Sequence, residues 1–203
     1  MMTLYYAPRT RAVRPRWVLE EVGAPYQLVR LDIRAGDQRK PDYLRINPNG
    51  SVPTLVDEGL TLFESAAICE YLTDRFPEAG LAPALGTAAR GLYYQWIHFT
   101  MATLEPPIAT IFAHTVAREE HARIPQLVTE ARGTLGRAFD VVDAAVRGRE
   151  FVVGDAFTTA DVMLGSTLAW AQMSSLLDGT REGIAAYTAT MARRPALRRA
   201  MAD

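Results

Sequence analysis

Short apolar runs and helical stripes alternate through the first third of the chain, and only helical stripes follow. "TLYYA" at 3–7 reads as a strand. "RAVRPRWVLEEVG" spaces Val13, Trp17, Val18 and Val22 as one helical face, and Gly23 ends it. "YQLVRLDI" is a second strand. "DYLRINPNG" is a short helix or turn stopped by Pro48 and Gly50. "TLVDEGLTLF" reads as a hairpin around Asp57, Glu58 and Gly59. "ESAAICEYLTDRF" is a helix with Ala67, Ile68, Tyr71 and Leu72 on its apolar side. The predicted order is βαβαββα over residues 1–76, an α/β unit with a mixed sheet.

The stretch 77–86, "PEAGLAPALG", has linker composition. Residues 87–203 then read as an all-α domain. A long helical pattern starts at "TAARGLYYQWIHF" and meets Pro106-Pro107, where a kink or break is expected. "IPQLVTEARGTLGRAFDVVDAAVRG" sets Leu127, Val128, Leu135, Phe139 and Val142 near helical spacing. "TTADVMLGSTLAWAQM" is apolar nearly all round, which predicts a buried helix. Thr158 and Asp161 are spaced as a capping box at its start, a structural device. "PALRRAMAD" closes the chain as a short helix begun by Pro195.

Bulk properties narrow the function. The 203 residues are 49% hydrophobic and 22% charged, with a net charge of -1. That balance builds no basic field for nucleic acid or an anionic membrane surface. No apolar run approaches the roughly 20 residues of a membrane span. The start "MMTLYYAPRTR" lacks a basic segment followed by an apolar stretch, so no secretory signal is expected. Cys69 is the only cysteine, which excludes an intramolecular disulfide and a CxxC pair. A cytoplasmic location is expected. His98, His114 and His121 show no metal-ligand spacing.

One local conflict stands out. Val52-Pro53 opens "VPTLV", otherwise a buried strand, and proline has no N–H for a sheet. Cis X–Pro bonds are only about 5–6% of the total, so the residues alone favour a trans bond. Glu64-Ser65 opens the next helix, where free N–H groups and the dipole attract an anion.

"SVPTL", a hairpin, "ESAAI" and the later "FVVGDAFTTADVMLG" together resemble the cytosolic glutathione S-transferases over nearly the whole chain. The resemblance implies a thioredoxin-like N-domain, a helical C-domain, a homodimer, and glutathione as co-substrate for transfer to small electrophiles. It reverses the expectation at Val52-Pro53 to cis, with Val52 pairing to glutathione like an added strand. It implies that Ser65, with Glu64 beside it, takes the γ-glutamyl end. Asn49 and Ser51 would reach the glycine end, with Arg39 and Lys40 near its carboxylate. The long aromatic helix (Tyr93, Tyr94, Trp96, Phe99) suggests surface for a second copy. The electrophile site is expected between the domains, lined by Met101, Ile108, Phe112, Ala7 and Pro8.

The chemistry requires a thiolate. A shift of about 2 units from a free thiol near 8.5 takes roughly 2.7 kcal/mol. One bond from or to a charged group contributes about 1.5–3 kcal/mol. Within "YYAPRTRAVRP" the family's serine register falls on Thr10, its tyrosine register on Tyr5, and its cysteine register on Arg11. Thr10 ranks first as donor to sulfur, Arg11 second and Tyr5 third. The departure from all three simple patterns keeps two other readings open: a non-catalytic protein binding glutathione or an apolar ligand, and a glutathione-dependent isomerase or dehalogenase.

Overall fold

A computed structural model describes residues 1–202. The chain divides into two compact units, residues 83–192 and the remainder. The first contains β1 (Met2–Tyr6), α1 (Val13–Val22), β2 (Tyr26–Arg30), α2 (Pro41–Leu44), β3 (Thr54–Asp57), β4 (Leu60–Phe63) and α3 (Ser65–Arg75). This is the predicted βαβαββα order. The sheet runs β2-β1-β3-β4, with β1 parallel to β2 and the other pairs antiparallel. Tyr5 pairs with Thr54 and Thr54 with Phe63. Since β1 and β4 run the same way and β3 runs against them, three segments meet at one edge of the sheet. They are the loop after β1, the residues before β3, and the start of α3.

Strand alternation sends Leu4 and Tyr6 into the core. Helix α1 packs on α3, burying Trp17, Val18 and Leu19 against a face that carries Ile68, Cys69 and Leu72. Ala67, expected on that face, is exposed. Gly23 at φ 68 ends α1 in the left-handed conformation, its N–H on the Leu19 carbonyl.

The second unit is helical: α4 (Ala88–Phe99), α5 (Glu105–Phe112), α6 (Pro125–Val146), α7 (Thr159–Met173) and α8 (Glu182–Ala192). No break occurs at Pro106-Pro107. A π-helical turn at Thr100–Leu104 joins α4 to α5, and both prolines fall in the first turn of α5, where their missing N–H groups are tolerated. On α6, Leu135, Phe139 and Val142 point inward as predicted, whereas Leu127 is exposed. Helix α7 is buried almost all round. Tyr93 and Trp96 are 0% and 6% exposed, so this chain's own core absorbs them. Tyr94 stands out at the surface and Phe99 is half-buried, so part of the aromatic surface of α4 remains exposed.

The last helix, α9 (Pro195–Met201), groups with the first unit and not with the helical residues 87–203 among which the sequence placed it. It lies on α1. Arg194 makes a two-pronged ion pair with Glu21 at 2.7 and 2.9 Å, and Arg199 bonds Glu20 at 2.7 Å. Arg16 adds a bond to the Ala202 carbonyl at 2.7 Å. Glu20 is held below its ordinary value: burial pushes it up, but bonds from Tyr26 and Arg199 outweigh that. No described helix is long and apolar enough to cross a membrane.

Candidate functional site

The edge of the sheet defined above gathers most of the residues singled out from sequence. The Val52-Pro53 bond is cis. Just before it, Tyr43 and Asn47 fix the chain. The Tyr43 hydroxyl meets the Ser51 carbonyl at 2.6 Å and the Thr54 hydroxyl at 2.7 Å. Asn47, fully buried, donates to the same carbonyl and the same hydroxyl, both at 2.9 Å. The Ser51 carbonyl is thus satisfied twice. The N–H and C=O of Val52, half-buried beside it, make no hydrogen bond among the described residues. Buried backbone groups are rarely left so, and a ligand with a strand-like backbone would complete them. Asn49 and Ser51 bond each other through their side chains at 3.2 Å at the outer rim. Gly50 turns the loop at φ 60, and a Cβ there would meet Arg39 Nη1 at 3.0 Å, so Arg39 packs over this loop. Lys40 is spent on Asp37 at 2.7 Å.

The start of α3 is open. Glu64 sits at φ 72, ψ 113, a conformation that costs a non-glycine residue about 1–3 kcal/mol. It is exposed and provides no side-chain cap. The N–H groups of Ser65, Ala66 and Ala67 make no hydrogen bond among the described residues. Ser65 is buried, and its hydroxyl accepts from Arg14 Nη1 at 3.0 Å. Arg14 is only 2% exposed. The sequence reading missed it, together with Tyr43, Asn47 and Thr54. Its signal was present: Arg14 lies one turn before Trp17 and Val18, on an otherwise apolar face, where a cation needs a buried partner.

The loop after β1 departs from expectation. Thr10 is half-buried, and its hydroxyl donates to the Ala7 carbonyl at 2.7 Å while accepting from the Ala12 N–H at 3.2 Å. Its single proton is therefore engaged within the loop. Arg9 holds φ 58, a second strained non-glycine residue on this edge. Arg11 is exposed beside it. Tyr5 faces the other way, as alternation requires of the neighbour of Tyr6: its ring lies 5.6 Å from that of Tyr43. The structure thus brings Thr10, Arg11, Val52, Pro53, Glu64 and Ser65 to one edge and leaves Tyr5 on the opposite face from α1.

Cys69 is fully buried on α3, and burial pushes its thiol up, away from reactivity. His114 accepts the Ile124 N–H at 3.0 Å, a structural role. Ile108, expected to line a substrate site, is fully buried in its own unit, whereas Phe112 is exposed and faces the Trp170 ring at 6.2 Å.

The chain is similar to known proteins over most of its length. Residues 1–74 match the family described as glutathione S-transferase, N-terminal domain, and residues 125–203 the glutathione S-transferase C-terminal domain. Glutathione S-transferase GST-4.5 of Xanthomonas campestris is 35% identical over 175 residues, 86% of this chain and 85% of its own length. A glutathione transferase of Methylococcus capsulatus superposes with a TM-score of 0.87 at 30% identity, over 99% of this chain and 97% of that one. A sphingomonad glutathione S-transferase solved with glutathione gives a TM-score of 0.85 at 28% identity, over 98% of this chain and 96% of its own.

Proposed function

The chain belongs to the glutathione S-transferase family, and on that premise we propose that it transfers the glutathione thiolate to small electrophiles in the cytoplasm, as a homodimer. The observation that carries the binding mode is the paired vacancy of hydrogen-bonding groups at one sheet edge: the Val52 backbone and the first turn of α3. Glutathione lies across them. Its cysteinyl backbone pairs with Val52 as a short added strand. Its γ-glutamyl carboxylate takes the Ser65 hydroxyl and the free N–H groups of α3, and Glu64 meets the ammonium. Asn49, Ser51 and Arg39 lie toward the glycine end, and Pro53 sets the floor. Relatives named as transferases support this reading over a binding protein, an isomerase or a dehalogenase.

Thiolate activation falls to the loop after β1. Thr10 donates to sulfur only by releasing the Ala7 carbonyl, so Arg11 takes the first place and Thr10 the second. The exposed Arg11 guanidinium carries a full charge to set against a thiolate, and one charged contact has the magnitude required, about 1.5–3 kcal/mol. Tyr5 has no part. The test is the thiolate absorbance of bound glutathione against pH in Arg11→Ala, Thr10→Ala and Tyr5→Phe. Arg11→Ala is expected to raise the apparent pKa by about 1–2 units. A shift confined to Tyr5→Phe would reject the assignment. Turnover of an activated aryl halide with glutathione, followed by product analysis, tests the transfer itself.

A further inference from the structure

We propose that Arg14 is a positioning residue that acts through Ser65, setting the direction of its hydroxyl proton and so the enzyme's preference for a ligand bearing a carboxylate there. This rests on the reading that Ser65 meets the γ-glutamyl carboxylate.

A guanidinium has donors only, and a serine hydroxyl has one proton and two lone pairs. With Arg14 Nη1 at 3.0 Å, Ser65 Oγ has to be the acceptor in that contact. Its proton points elsewhere. No described residue accepts it. Ser65 is thereby fixed as a donor at the open start of α3, alongside the N–H groups of the first turn. A serine without this partner would rotate freely or turn its proton back to a backbone carbonyl, as Thr10 does with Ala7.

Arg14 also brings charge to a buried place. It adds its field to the positive end of the α3 dipole. The same field runs along the inner face of α3, where it opposes the upward push of burial on the Cys69 thiol. Arg14 is buried and reaches this helix start through the Ser65 hydroxyl, so its effect is relayed by that group. Arg14 sits on α1 and Ser65 on α3, so the relay also sets the spacing of the two helices whose N-termini flank the ligand.

A strut between α1 and α3 and a relay to a carboxylate make different predictions. The test is calorimetric titration with two ligands: glutathione, and γ-aminobutyryl-cysteinyl-glycine, which lacks the glutamyl α-carboxylate. Arg14→Met is expected to weaken glutathione about tenfold and to leave the analogue unchanged. Arg14→Lys, which keeps the charge and the fold but loses the fork, is expected to weaken glutathione about two- to fivefold, again without touching the analogue. In a Ser65→Ala background, Arg14→Met should add less than about twofold. Equal weakening of both ligands, or a full effect of Arg14→Met without the Ser65 hydroxyl, overturns the relay while the Ser65 reading stands. Equal affinity of the wild-type protein for the two ligands overturns the Ser65 reading and the relay with it. If Arg14→Met does not fold, Arg14→Lys with the two ligands decides in the same way.

Discussion

Two helix starts in this molecule are built from similar residues and treated in opposite ways. At the start of α7, Thr158 and Asp161 close a capping box. Asp161 Oδ2 accepts the Thr158 N–H at 2.8 Å and the Thr158 hydroxyl at 3.1 Å, while Oδ1 accepts the Val152 N–H at 2.8 Å and the Tyr187 hydroxyl at 2.9 Å. Both residues are buried, and the four donors aimed at Asp161 find their acceptor inside the protein. At the start of α3, Glu64 is exposed and strained, no side chain caps the helix, and three N–H groups are left open. A helix end can be closed for stability or kept open for a ligand. The open end then carries strain that the rest of the fold has to hold in place.

The sharpest way to break this comparison is at the closed end. Asp161→Ala leaves four donors without an acceptor in a fully buried place. We expect a loss of about 3–5 kcal/mol in urea denaturation, with little change in the glutathione affinity of the folded fraction. A loss below about 1 kcal/mol would deny the box its structural role. At the open end the expectation is reversed. Ser65→Ala should weaken glutathione binding by about 1–3 kcal/mol and leave the thermal midpoint nearly unchanged. An unchanged dissociation constant would remove Ser65 from the ligand site.

Glu64→Gly divides stability from binding most cleanly. Glycine accepts φ 72 without penalty, so the fold should gain up to about 1 kcal/mol even as glutathione affinity falls. A variant that is both less stable and unimpaired in binding would contradict the idea that strain at Glu64 serves the ligand.

The smallest effect concerns what stands behind the open end. Helix α1 carries Arg14 to Ser65 and is clamped by α9 through Glu20 and Glu21. Glu20 titrates below its ordinary 4.5 in the folded state, so its contribution is present above that value and is lost as pH falls through the folded value. The protection of α9 and α1 amides, taken relative to the intrinsic exchange rate at each pH, should therefore fall on acidification, and that of α7 should not follow. Arg199→Ala should reduce that pH dependence. Equal loosening of α7 would show a global transition instead.

What the sequence made legible was local. Strand periodicity, the turn at Asp57-Glu58-Gly59, the conflict at Val52-Pro53, and the Thr158–Asp161 spacing all depend on neighbours a few residues apart. What it hid depends on contacts across the fold. Arg14 finds Ser65 on another helix, and Asn47 and Tyr43 lock a loop through Thr54. Arg9, Arg11, Arg14 and Arg16 crowd the start of the first helix, where cations are unfavourable unless an anion is near. In the structure Arg14 and Arg16 are buried, with Arg16 over the Tyr6 ring at 5.1 Å. Thr10 was in the expected loop, but the hydroxyl proton that decides its role is spent on a carbonyl three residues back. The terminal helix looked like a continuation of the helical half because its stripe does not say which partner it covers. Its pairing with Glu20 and Glu21 decides that.

The central claim is that the open start of α3 and the unpaired Val52 backbone hold one ligand between them. A crystal structure of the protein with glutathione tests it most directly. The γ-glutamyl carboxylate is expected within hydrogen-bond distance of Ser65 Oγ and the α3 N–H groups, with the cysteinyl backbone paired to Val52. Glutathione seated away from that edge, or with its γ-glutamyl end turned from Ser65, would contradict it.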